Sequence, residues 1–296
     1  MATATLPTVE TRAPGLYPGT SYEEYARIEG ARASILRHFE RSAAHAREEI
    51  LNPTTSKARD FGNAYHCAVL EPARFAVEFV RGLENNDKRF KVEKERYADF
   101  CAQHRGRTVL LPTEWDAIVA MQVAVYAHET AAALLHAPGL NEVVAVWDDA
   151  STGVRCKGRI DRLCSWLGWT WVPDLKTTTN ASPQGWPKEI GDYGYMEPAA
   201  FYLDGLDAVD VAAGSDPRQR RFLWISQEKV APFAVAVHEP DDEAITEGRR
   251  RYRRHLRAYA EAMRTNAWPA YPVGVLPTSL KKWDITKNED EEEAEP

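Results

Sequence analysis

The sequence predicts an α/β fold: one domain with a mixed central sheet flanked by helices. Three observations carry this. Residues up to about 138 read mainly as helices; a Val-, Ile-, Trp- and Thr-rich block follows as three consecutive strands; helical patterning then returns around two further strands.

The elements follow in order. Residues 1–18 are rich in Ala, Thr and Pro and are expected to form a flexible arm, with one domain over 19–286. Ser21-Tyr-Glu-Glu24 is a capping box, and the pattern behind it predicts helix to about Glu49. A second helix is expected from about Lys57 to Glu71, where Pro72 stops it. Residues 84–107 mix Lys, Arg and Glu without a period and read as an exposed segment. Thr113-Glu-Trp-Asp116 opens a long apolar helix ending near Pro138-Gly139. NEVVAVWDD, VRCKGRIDRLCSW and WTWVPDLKT then read as a three-strand meander. A helix from about Pro198 to Leu206, strands RRFLWISQ and PFAVAVHEP, and a helix from about Asp241 to Thr265 complete the domain.

Composition narrows the classes. The chain has 296 residues, 44% hydrophobic, enough for a sizeable core. Six acidic residues crowd into Glu289–Glu295, and removing them from the net −7 leaves −1 on the rest. Residues 287–296 are therefore expected to be a disordered acidic tail on a nearly neutral body. Cys67, Cys101, Cys156 and Cys164 form no CxxC pair, so no iron–sulfur cluster is expected. No apolar run approaches about 18 residues and no basic-then-apolar leader opens the chain, which reads as cytoplasmic with no membrane partner. A GxxxxGK[ST] phosphate loop is absent, so no ATP is expected.

The charges around one hairpin carry the chemistry. With the turn centred on Leu167-Gly168, residues whose numbers sum to 335 face each other, and Asp161 and Asp174 do so. Their Cβ atoms would lie about 5 Å apart, with Lys176 on the same face. Two such carboxylates repel by roughly 3 kcal/mol at an effective dielectric of 20. A hard divalent cation relieves that repulsion, and a lysine beside it orients or deprotonates a water, which suits phosphodiester hydrolysis. The competing reading is that Lys176 simply salt-bridges both aspartates.

Gly158-Arg-Ile-Asp161 followed by Asp174-Leu-Lys176 resembles the GxxD and (D/E)xK motifs of the PD-(D/E)XK nucleases, in particular the RecB-like branch. Gly62-Asn-Ala-Tyr-His66 matches the upstream GxxxH of that branch. The stretches FGNAYHCAVLEPARF, CKGRIDRL, PDLKTTT, GYMEPAAFYLDGL, ISQEKVAPFAVAV and WPAYP are similar to RecE-type (exonuclease VIII-type) phage and prophage exonucleases, in order over roughly residues 20–285. The resemblance implies a single PD-(D/E)XK core with Asp161, Asp174, His66 and the Leu175 carbonyl on Mg²⁺ or Mn²⁺. It implies Lys176 acting on the attacking water and Glu142 beside the site. Where the family carries QxxxY, this chain has Pro198 and Tyr202, with Glu197 as a partial substitute for the glutamine.

For DNA contact, Arg250, Arg253, Arg254 and Arg257 are expected to cluster on the outer face of the last helix, with Tyr252, Leu256, Tyr259 and Met263 inward. Lys88, Arg89, Lys91, Lys94 and Arg96 form a weaker basic group, and no base-stacking platform is assigned. The resemblance implies 5′ to 3′ digestion of linear double-stranded DNA, in the bacterial host cytoplasm if the chain is phage-encoded. It also implies a homo-oligomeric ring and a single-strand annealing protein as partner. The rival readings are another RecB-like nuclease acting on single strands or flaps, and a catalytically idle DNA-binding protein that keeps the fold.

Overall fold

The computed structural model describes residues 10–54, 56–84 and 91–279. Its strands are Gly15–Tyr17 (β1), Phe79–Arg81 (β2), Thr108–Leu110 (β3), Gly139–Asp148 (β4), Arg155–Trp166 (β5), Trp169–Thr178 (β6), Arg220–Glu228 (β7) and Val235–His238 (β8). Six form one sheet in the order β1-β4-β5-β6-β7-β8, in which β6 and β7 run parallel and the other neighbours antiparallel. β2 and β3 form a separate parallel pair.

Helices cover both faces of this sheet. On one face Lys57–Leu70 (α4), Pro72–Glu78 (α5), Pro112–Ala127 (α7) and Glu129–His136 (α8) bury Leu175 and Ile225 among Tyr65, Ile118, Met121 and Leu134. On the other, Met196–Ala212 (α10) and Asp242–Thr265 (α11) pack Phe201, Leu206, Tyr252 and Leu256 on Val143, Ala145, Ile160, Val172 and Trp224. Among the described residues no single helix is long and apolar enough to cross a membrane. The apolar pair α7–α8 is bent by 91° at His128, and its inner residues belong to the core.

Several expectations need correction. The arm expected over 1–18 is not wholly loose: Gly15–Tyr17 pair with Val144–Val146 as an edge strand. The first helix does not run on to Glu49 but breaks into Tyr22–Arg27 (α1), Ala33–Leu36 (α2), a 3₁₀ turn Arg37–Glu40, and Ala43–Leu51 (α3). The Ser21–Glu24 capping box forms as expected. The helix breaks after it because Ala31 is drawn onto β5, donating to the Arg155 carbonyl and accepting from the Lys157 amide, both at 2.8 Å. Gly30 makes that exit with φ of +150°, a conformation closed to other residues.

Within 84–107, Lys91–Gln103 is a helix (α6), so that span is not irregular throughout. The long apolar helix is two helices, since His128 caps α8 by accepting the Ala131 amide. Trp186–Tyr193 (α9) is an additional helix, placed before α10. Met263 is 56% exposed and leaves the inward stripe, in which Tyr252 and Leu256 are buried. The acidic tail over 287–296 lies outside the described residues, as do Lys88 and Arg89.

Candidate active site

The β5–β6 hairpin has the expected register, with Trp166 opposite Trp169 and Cys164 opposite Trp171. Leu167 and Gly168 both take positive φ, 50° and 79°, as a two-residue primed turn demands, although leucine is costly there. The ladder ends at Cys164–Trp171, so Asp161 and Asp174 are not a ladder pair. The reason lies in the backbone. Leu175 points its N–H toward β5, so Pro173, two residues earlier, faces the same way with no N–H to give. The strands part, and the Asp161 carboxylate enters between them to accept the Leu175 amide at 2.8 Å.

On the other side of β5, the pairs Asn141–Arg162 and Val143–Ile160 bracket Glu142 opposite Asp161. Glu142 has φ of +50° in mid-strand, a sparsely populated conformation for a non-glycine residue. From α4, Tyr65 donates its hydroxyl to Gln227 of β7 within the core, which anchors the helix that carries His66. His66 Nδ1 lies 3.4 Å from Asp161 Oδ2. One ligand atom each from His66, Glu142 and Asp161 falls within 4.8 Å of the others.

Asp174 stands outside this trio. Its carboxylate is held by the Lys176 ammonium, which also donates to the Leu175 carbonyl at 3.2 Å. Lys176 thus salt-bridges Asp174. The Leu175 carbonyl, expected as a ligand, here accepts from Lys176.

The electrostatics record crowding. Burial, reinforced by Asp161, pushes Glu142 up to about 7. Burial likewise raises Asp174 to about 6, against the pull of Lys176. Asp161 goes the other way: burial works to raise it, but His66, Lys176 and the Leu175 amide together bring it down to about 2. His66 is raised because Asp161 outweighs its burial, and Lys176 is raised because both aspartates do the same. Buried Glu142 and Asp174 beside the half-buried Asp161 are three carboxylates that cannot all comfortably ionise, a crowding that a divalent cation would relieve.

The structure brings in Arg159 and Tyr195, to which sequence reasoning gave no role, and gives the expected Tyr202 a packing partner. Arg159 Nε is 2.7 Å from Glu142 Oε2, an ion pair whose N–H is not aimed along a hydrogen bond. Arg159 precedes Asp161 by two, so strand periodicity was the available signal. Tyr195, at the start of α10, sets its ring 5.5 Å from Lys176 Nζ; it lies in the stretch GYMEPAAFYLDGL, whose resemblance assigned it no role. Tyr202 lies against the backbone of Gly158, where any Cβ would come within 2.8 Å of its ring. Burial, with Asp174, Asp161 and Glu142 nearby, raises the Tyr202 phenol. The glycine of GRID and this tyrosine are therefore a packing pair.

Glu197 does not join the metal-ligand candidates. It is 3% exposed and meets His255 Nδ1 of α11 at 3.1 Å, so it neither substitutes for the family glutamine at the site nor presents itself to DNA. Pro198 sits in the first turn of α10, where a missing N–H is tolerated. Arg250, Arg253, Arg254 and Arg257 are exposed on α11 as expected. Arg250 pairs with Glu247 at 2.7 Å and Arg253 with Asp204 at 2.9 Å, while Arg254 Nη2 lies 3.3 Å from His255.

Comparison with known proteins decides the kinship. The model of a PDDEXK-like domain of unknown function (DUF3799) matches residues 33–274. The chain belongs to this PDDEXK-like family. The match spans every site residue named above, from His66 to Arg257. A protein of Eubacterium rectale, whose crystal structure bears the description of a candidate exonuclease, shares the fold of this PDDEXK-like domain with a TM-score of 0.51. It is 10% identical, over 87% of this chain and 93% of that one. No curated protein sequence matches the chain significantly.

Proposed function

We propose that the chain is a divalent-metal-dependent exodeoxyribonuclease acting on linear double-stranded DNA. The observation that carries this is the convergence of His66, Glu142 and Asp161 within 4.8 Å, beside the Asp174–Lys176 pair. His66, Glu142 and Asp161 would hold the ion, with Asp174 and the Leu175 carbonyl adjacent. A bound Mg²⁺ or Mn²⁺ supplies Lewis-acid polarisation of the phosphodiester. Lys176 orients the attacking water and offsets the negative charge that builds on the phosphate. Arg159 holds Glu142 in its strained backbone conformation, and Tyr202 seats the Gly158–Asp161 segment from below.

The finer reading draws on the RecE-type resemblance: digestion from 5′ to 3′, a 3′ single strand left for recombination by an annealing protein, and a ring of identical subunits. Family membership and the shared fold support the broader nuclease reading. The departure at Pro198 favours one alternative, a DNA-binding protein that keeps the fold without cutting.

The deciding assay compares 5′-phosphorylated linear duplex, closed circular duplex and single-stranded DNA with Mg²⁺ or Mn²⁺, using Lys176→Ala as control. Loss of linear duplex alone, abolished by the substitution, is the expected result. Cutting of single strands or flaps in preference points to the other RecB-like nucleases, and no cutting with either metal leaves the binding protein.

A further inference from the structure

Four rings form a column beside Lys176. His238 and Trp186 stack at 5.4 Å and 14°, Trp186 and Tyr195 at 5.7 Å and 30°, and Tyr195 and Tyr193 at 5.5 Å and 16°. These are offset-stacked spacings. The column passes through the core, where Trp186 is 1% exposed, and ends at the surface, where Tyr193 is 56% exposed. Among the described residues, Tyr193 stacks on Tyr195 alone, so its other face meets no further ring.

The outer end is held in place. Tyr193 ends α9, and Gly194 turns the chain with φ of 62°, bringing Tyr195 back under Tyr193. A side chain at Gly194 would run into the Arg37 guanidinium, and Arg37 Nη2 donates to the Asp192 carbonyl at 2.8 Å. An exposed tyrosine fixed this way has lost its conformational freedom before any ligand arrives.

Position supplies the ligand. The Lys176 ammonium lies 5.5 Å from the Tyr195 centroid, so no more than two such spacings separate it from the exposed ring. A strand with a phosphate at Lys176 therefore has a base within reach of Tyr193. We propose that Tyr193 is a stacking platform for a nucleobase close to the scissile phosphate. The ligand class is an unpaired nucleotide, because a base within a duplex has both faces occupied. This rests on the nuclease reading above and adds to it that the strand end is unpaired where it is cut. Aromatic stacking tolerates any base, which suits an enzyme that digests without regard to sequence.

The test measures kcat and KM for Tyr193→Ala, Tyr193→Leu, Tyr193→Phe and Tyr193→Trp on linear DNA. Each is also measured on substrates with one abasic nucleotide scanned through the first positions of the cut strand. The expected result is a KM five- to 150-fold higher for the Ala and Leu variants, with kcat and melting temperature little changed; Phe and Trp behave as wild type. That range corresponds to about 1–3 kcal/mol for one stacked base. At one abasic position the wild type should lose the same factor while the Ala variant loses nothing more. Unchanged KM in the Ala variant, or an equal loss on every abasic substrate, overturns the stacking assignment while the nuclease reading stands. Failure of the wild type to cut any DNA overturns the nuclease reading and the platform with it.

Discussion

Asp161 accepts the Leu175 amide across the gap where the β5–β6 ladder ends, at 2.8 Å, and the same carboxylate faces His66. One side chain thus closes the sheet and offers a ligand to the site. The two roles separate by substitution. Asp161→Asn keeps an acceptor oxygen for Leu175, so folding should persist while Mn²⁺ affinity is lost in calorimetric titration. Asp161→Ala leaves a buried amide unpaired and should cost about 1–3 kcal/mol in urea unfolding as well.

The raised carboxylates set a pH dependence. Glu142 moves from 4.5 to about 7 and Asp174 from 3.8 to about 6, so each binds its proton more tightly folded than unfolded. The stability they contribute is full below their unfolded values and is lost as pH rises through 6 and 7. Each tenfold gain in proton affinity on folding is worth about 1.4 kcal/mol. His66, also raised, acts in the same direction. Asp161, lowered to about 2, contributes above 3.8 and loses its share only as pH falls toward 2. In EDTA the melting temperature should therefore fall between pH 5 and pH 8. Added Mn²⁺ should reverse that slope, because the ion competes with protons for the same carboxylates and imidazole. A metal-free melting temperature that climbs over this range would contradict the burial-driven rise of these two carboxyls.

Gly158 and Tyr202 should behave as a coupled pair. Gly158→Ala forces a methyl group against the Tyr202 ring and is expected to destabilise by about 1–3 kcal/mol. Combined with Tyr202→Ala, which opens the space, the loss should be smaller than the two single losses together. A double-mutant cycle in urea measures the coupling; strict additivity would mean that the ring does not bear on the glycine.

Glu197 offers a contrast. Its partner is His255, so Glu197→Gln should leave Mn²⁺ affinity and cutting near wild type, whereas Glu197→Ala should lower stability by about 1–3 kcal/mol. A selective loss of metal binding in the Gln variant would return Glu197 to the role of substitute glutamine.

The arginines of α11 can be weighed by salt. Arg254 and Arg257 are exposed, and Arg250 and Arg253 already pair with acids. If Arg254 and Arg257 each neutralise one phosphate, replacing both by Ala should reduce the slope of log affinity against log salt by about 2. An unchanged slope assigns them to the solvated face of the helix.

Much of this protein is local and therefore readable in its residues. The hairpin register follows from where Leu167-Gly168 can turn, since alternation carries that register along both strands. The Ser21–Glu24 cap, the start of α11 and the two late strands follow equally from neighbours in sequence. Spacing alone could also put Asp161, Asp174 and Lys176 near one another. Alternation also turns Pro173 toward β5, but what it could not give is how far β5 and β6 part there and that the Asp161 carboxylate enters the gap to take the Leu175 amide. The break after α1 belongs with it, since Ala31 leaves the helix only to meet β5, a strand more than a hundred residues away. Long-range placement also decided that Glu142 is strained beside Asp161, that Glu197 turns to His255, and that Tyr193 caps a column of rings beside Lys176. Local sequence sets dihedral preference and periodicity, whereas these contacts arise only when distant segments exclude water from the same volume.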